Sequence, residues 1–131
     1  MSTARPSRWE QKVAADPSHS TWYVERFRSM AADGADLAGE ARLVDAMLPR
    51  GSRVLDAGCG PGRVGAELAA RGHVVVGVDV DPVLVDAART DHPGPDWRVG
   101  DLAELDLALS TWDLRPWSPD ADFLVAVLSA S

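Results

Sequence analysis

At 131 residues, with 46% apolar and 25% charged side chains, the chain has room for one compact domain that buries roughly two-thirds of its unfolded surface. Its 20 acidic and 13 basic residues leave a net charge of -7, and the basic residues are scattered, which argues against nucleic acid as a partner. No apolar run approaches the roughly 18 to 20 residues of a membrane span, "MSTARPSRWEQK" lacks the apolar stretch of a secretory signal, and one cysteine with three separated histidines (His19, His73, His92) matches neither a disulfide nor a metal-ligand spacing. The expected location is cytoplasmic, with no membrane partner.

The first 50 residues carry helical periodicity and no strand-like alternation, which predicts two helices. One holds Trp22, Tyr23, Phe27 and Met30. The other sets Leu37, Ala41, Val44 and Leu48 along one face and is closed by Pro49 and Gly51, with "ADGAD" as the link between them.

From residue 51 the period changes. "SRVLDAG" reads as a short apolar strand, and "PGRVGAELAARG" as a helix with Val64 and Leu68 inward and Gly72 as its stop. "HVVVGVDV" suits a strand buried on both faces, "DPVLVDAAR" a helix with Asp81 as N-cap and Pro82 at the first helical position, and "DWRVGD" a third strand. Strand, helix, strand, helix, strand predicts a parallel sheet with right-handed crossovers.

Leucines at 105, 107 and 109 then alternate in "ELDLALSTWD", "LRPWSPDAD" is a proline-marked connection, and "FLVAVL" is another buried apolar strand. Too few residues separate the third strand from the fourth for a helical crossover, so the last two predict an antiparallel pair. The expected fold is therefore α/β and Rossmann-like, with three parallel strands, a C-terminal antiparallel pair and N-terminal helices. It forms one domain over 1–131, with helices in 1–50, the βαβαβ unit in 51–107 and a closing hairpin in 108–131.

The candidate site is "VLDAGCGPG", Val54 to Gly62. Glycines between a first strand and a first helix let a ligand reach bare backbone and the N-H groups of the helix start, as nucleotides require. Gly60, Gly62 and Gly65 also satisfy the G-x-G-x-x-G dinucleotide spacing, and Asp79 at the end of the second strand would accept ribose hydroxyls for either ligand. Asp56 separates the two, because a carboxylate there opposes a pyrophosphate but suits ammonium and sulfonium charges.

Other conspicuous residues read as structural. Asp81 is a helix cap, Cys59 fills a gap rather than serving as a nucleophile, and Trp22, Tyr23 and Phe27 pack. His19, Tyr23 and Glu25 are titratable, but surface or core roles account for them, and no catalytic residue is assigned.

Taken in order, "VLDAGCGPG", "VVGVDVDP" and "VGDLAELDL" resemble motifs one, two and three of class I S-adenosylmethionine-dependent methyltransferases, over Arg53 to Leu107. "HSTWYVERFRSMAADGADLAGEARLVDAMLPRG" is similar to the leading helices of small bacterial members. The resemblance implies S-adenosylmethionine as cofactor, S-adenosylhomocysteine as product and an unidentified small-molecule acceptor. It also implies that Asp56, Gly58, Gly60 and Gly62 hold the methionine end, Asp79 the ribose hydroxyls, Val80 the adenine face, and Asp101 the adenine amino group with Leu102 beside it. The sulfonium already activates the methyl carbon, so the protein chiefly aligns the partners and excludes water.

The resemblance has a gap. Family members continue after the third strand through a helix, a fourth strand, a helix, a fifth strand and a helix before their closing antiparallel pair. Here "GDLAELDLA" runs almost directly into "LSTWDLRPWSPDADFLVAVL", so the chain resembles a shortened member with an internal deletion near Ala108, natural or engineered. The first strand, Val54 to Ala57, would then carry a bare apolar edge. Either "FLVAVL" pairs there or a second copy of the chain does, and a homodimer is the expectation. Two other readings stay open: a non-catalytic cofactor-binding or structural remnant, and a nicotinamide dinucleotide-binding protein.

Overall fold

Apolar β-branched residues packed on both sides dominate the centre of the molecule. The computed structural model describes Pro6, residues 8–101 and the backbone of 124–128. Three helices, α1 (Arg8–Ala15), α2 (His19–Ala32) and α3 (Gly39–Met47), precede the sheet. Then β1 (Arg53–Ala57), α4 (Arg63–Ala70), β2 (Val74–Asp79), α5 (Pro82–Asp91) and β3 (Asp96–Val99) alternate, and β4 (Leu124–Leu128) follows. The strands lie in the order β3, β2, β1, β4, and every pairing is parallel.

Residues Val54 to Ala57 are all buried, as are Val75 to Val78, which is what a central parallel strand covered on both faces requires. Ala41 and Leu48 join Val54, Val64, Leu68 and Val75 in one cluster, which seats α3 on α4 and α4 on the sheet. Burying each such Val or Leu stabilises the fold by about 1.5 to 3 kcal/mol. A second cluster of Trp9, Val24, Leu84 and Ala87 fastens α1 and α2 over α5.

One expectation changes. The N-terminal region holds three helices where periodicity indicated two. In "RWEQKVAA" only Trp9 is fully buried, with Val13 packed beside it, so α1 presents a narrow apolar stripe and is held by tertiary contacts of these two side chains. Of the two ways expected to cover the apolar edge of β1, the chain uses its own 124–128, which runs parallel to β1 from Arg53↔Leu124 to Ala57↔Leu128. The chain between Val99 and Leu124 exceeds the dozen or so residues that a parallel crossover needs, and the apolar edge of β1 is there to be paired. The other half of the expected hairpin, at 105 to 109, lies outside the described residues. The edge that a second copy might have covered is thus paired within the chain.

At the N-terminal end of the strands, buried His73 joins three segments. Its Nδ1 accepts the Ser52 amide at 3.0 Å, which leaves Nε2-H to donate to Asp45 Oδ1 at 2.7 Å. The His73 bond, aided by Arg50, holds the Asp45 carboxyl down at about 2. This network ties α3 to β1 and β2 at the end of the sheet opposite the glycine turn. No helix among the described residues is long and apolar enough to cross a membrane.

Candidate functional site at the ends of the parallel strands

Past Ala57 the chain folds back over the end of β2. The Gly58 and Cys59 amides both donate to the Val78 carbonyl, at 2.7 and 3.0 Å, and the Gly60 amide donates to Asp79 Oδ2 at 2.9 Å. Gly60 (φ +55°) and Gly62 (φ +91°) occupy the left-handed region, where a side chain would be strained. Asp79 also accepts the Asp81 amide through Oδ1, at 2.9 Å, and burial pushes its pKa up. Two of the roughly four acceptor positions of that carboxylate remain for other donors. The Gly100 amide donates to the Asp79 carbonyl at 2.9 Å, bringing the end of β3, with half-buried Asp101, to the same rim.

Asp56 lies beneath this turn. It is fully buried, and neither carboxylate oxygen has a hydrogen-bond partner. Desolvation raises its pKa to about 7; the Gly65 amide and Arg63 pull the other way, while Asp79 and Glu40 push it further up. On the outer side of the turn stands Tyr23, whose Cε1 would be 4.0 Å from a Cβ placed on Gly60. Its ring packs edge-on against Trp9 and Phe27, with centroids 4.9 and 4.8 Å away. Burial raises the Tyr23 pKa, so its hydroxyl keeps its proton at neutral pH. Beside the turn a cavity of about 530 Å³ opens between α2 and α4, with Phe27, Leu37 and Pro61 in its lining. Its cationic groups are already paired, Arg28 with Asp91 and Arg63 with Glu40.

Not every glycine of the motif faces a ligand. A Cβ on Gly62 would stand 3.0 Å from the Trp97 ring, one on Gly65 2.9 Å, and one on Gly77 2.2 Å. Together the three glycines form a slot for this indole, whose Nε1 donates to the His92 carbonyl at 2.9 Å. Packing against Trp97 therefore explains the Gly62 and Gly65 spacing without a pyrophosphate, which removes the main support for the dinucleotide reading. Nothing local in the sequence relates Trp97 to glycines 20 and more positions away.

The structure brings Asp56, Gly58, Gly60, Gly62, Asp79 and Asp101 to one end of the sheet. Val80, expected against an adenine, is half-buried and packs with Tyr23 on the Trp9 cluster. Leu102 lies outside the described residues. Asp81 caps α5 through Val83 N at 2.9 Å, as expected, and its other oxygen accepts from Trp9 Nε1 at 2.7 Å and from Ser20 Oγ. Cys59 is buried, and desolvation raises its pKa far out of the thiolate range, in keeping with a filling role. Among the described residues no group of three or more His, Cys, Asp or Glu could hold a metal ion. Bare backbone with one unpartnered buried carboxylate and a second that is half free fits a ligand carrying positive charge and hydroxyl donors.

Comparison with known proteins agrees with this chemistry. A family described as a methyltransferase domain matches residues 54–115. The chain is 38% identical over 114 residues to the magnesium-protoporphyrin O-methyltransferase of Rhodobacter capsulatus, covering 80% of this chain and 46% of that protein. It is 37% identical over 86 residues to the trans-aconitate 2-methyltransferase of Mycobacterium tuberculosis, covering 64% of this chain and 28% of the relative. Among solved structures, a TehB-like SAM-dependent methyltransferase from Corynebacterium glutamicum superposes with a TM-score of 0.66 at 46% identity, over 86% of this chain and 56% of that one. The chain thus spans about half the length, or less, of these relatives.

Proposed function

Because the chain belongs to the class I S-adenosylmethionine-dependent methyltransferases, we propose that it binds S-adenosylmethionine over the glycine turn and directs its methyl group to a small-molecule acceptor. The observation that carries the reading is the pair of carboxylates around the turn, Asp56 with both oxygens unpartnered and Asp79 with acceptor capacity left over. In this reading Asp56, Gly58, Gly60 and Gly62 hold the methionine end. Asp79 takes the ribose hydroxyls, and Val80, Asp101 and Leu102 border the adenine.

S-adenosylmethionine would supply a methyl carbon activated by its sulfonium, leaving S-adenosylhomocysteine after transfer. The protein's share is binding, alignment and exclusion of water. Asp79 anchors the turn through Gly60 and thereby sets where the ligand lies, while Tyr23, backed by Phe27, stands against the turn from the α2 side. The small-molecule acceptor is supported by relatives named for magnesium-protoporphyrin and trans-aconitate.

Calorimetric titration with S-adenosylmethionine and S-adenosylhomocysteine, with light scattering on the same sample, tests the proposal. Micromolar binding is the expected result, and a folded protein that binds neither would overturn it. The scattering mass decides the homodimer, which pairing of β1 by β4 no longer requires. Product formed with any acceptor would count against a non-catalytic remnant.

A further inference from the structure

A buried carboxylate with no partner is costly when ionised, so Asp56 needs an explanation beyond its membership of a motif. Its surroundings are specific. The Gly65 amide, on the first turn of α4, is the closest source of relief, but neither oxygen forms a hydrogen bond. Gly65 has no side chain to cover the carboxylate, and a Cβ there would stand 3.2 Å from Oδ2. The charged and titratable groups around Asp56 are Asp79 at the end of β2, Cys59 in the turn, Arg63 on α4 and Glu40 on α3. Asp79 and Glu40 repel a negative Asp56. Arg63 attracts it, but that guanidinium is spent on the Leu37 carbonyl at 2.8 Å and on Glu40 at 3.0 Å. Cys59 is a neutral thiol.

A proton on Asp56 relieves the burial in the free protein, and a cation laid on the turn would relieve it in the complex. We propose that Asp56 is a proton-linked element of the turn, neutral in the free protein and ionised when the cationic end of a ligand lies on Gly58 to Gly62, so that binding expels one proton to solvent. The inference rests on reading this turn as the S-adenosylmethionine site.

Two measurements test it separately from that reading. In protein labelled with ¹³C at aspartate carboxyls, with Asp56→Asn used to assign the signal, Asp56 should titrate near neutrality in the free protein. With S-adenosylmethionine bound, it should stay ionised down to about pH 5. An Asp56 carboxyl ionised throughout this range in the free protein overturns the inference whether or not any ligand binds. Calorimetry should show affinity for S-adenosylmethionine falling roughly tenfold between about pH 8 and pH 6, with proton release seen as a heat that depends on the buffer's ionisation enthalpy. Binding without pH dependence or proton release overturns the inference and leaves the cofactor reading standing. A titrating Asp56 in a protein that binds nothing overturns the cofactor reading and, with it, the link to binding.

Discussion

Asp79 Oδ2 accepts the Gly60 amide at 2.9 Å, so the carboxylate expected to meet a ribose also fastens the turn that would carry the rest of the ligand. Replacing it by alanine removes a direct contact and frees the Gly60 and Asp81 amides at once. Asp79→Ala should weaken binding of S-adenosylhomocysteine by at least about tenfold, at a cost of about 1 to 3 kcal/mol in stability and with the sheet intact. Titration calorimetry beside circular dichroism checks this, and unchanged affinity would refute the assignment.

The Trp97 slot makes a packing prediction. A methyl on Gly77 would lie 2.2 Å from the ring and 3.0 Å from Cys59, far inside ordinary contact. Gly77→Ala should therefore destabilise the domain by about 1 to 3 kcal/mol or more. Trp97→Ala should cost about 3 to 5 kcal/mol by leaving a cavity, and the double variant should cost less than the sum of the two single changes. Urea denaturation of the three variants measures the coupling; strict additivity would mean that the ring does not fill the slot.

Asp56 gives a stability prediction with a definite sign. Its carboxyl is raised from the ordinary aspartate range to about 7, so the stability associated with its protonated form is fully present below about pH 4 and is lost as pH rises through 7. Asparagine carries no charge to bury. The difference in unfolding free energy between Asp56→Asn and the parent, measured by chemical denaturation, should shift in favour of the variant between about pH 4 and pH 8, by an amount on the order of a few kcal/mol. A difference that is flat with pH would show that Asp56 is ionised at no cost.

Asp81 joins the N-terminal helices to the sheet unit. One oxygen caps α5 at Val83, and the other receives the Trp9 indole and the Ser20 hydroxyl. Asp81→Ala should cost about 3 to 7 kcal/mol, the sum of a lost cap at about 1 and two unpaired buried donors at about 1 to 3 each. Trp9→Phe keeps most of the apolar contact but gives up one of these bonds, and should cost about 1 kcal/mol. Chemical denaturation compares them, and equal costs would remove Asp81 from the centre of this contact.

Local chemistry made much of the molecule readable. Short strand-like runs located β1, β2 and β3, and helical periodicity located α4 and α5, because each element must bury one face or two. Asp81 followed by Pro82 marked the start of α5 through its own hydrogen bond to Val83. The glycines of 58 to 62 marked the turn, since left-handed backbone at Gly60 and Gly62 admits few other residues.

Contacts between distant segments were not readable in this way. Helix α1 is held by Val13 and by Trp9, whose indole meets Asp81, 72 residues away. The Gly62, Gly65 and Gly77 set acquires its meaning from Trp97, and β4 takes its direction from the edge of β1. Amino-acid order by itself determined the α/β alternation, the glycine turn and the acidic strand ends, because those follow from interactions within a few residues. Only the tertiary structure decided that Asp56 is sealed without a partner, that Asp79 holds the turn it serves, and that the last strand runs parallel, because burial and long-range pairing exist only once the chain has closed on itself.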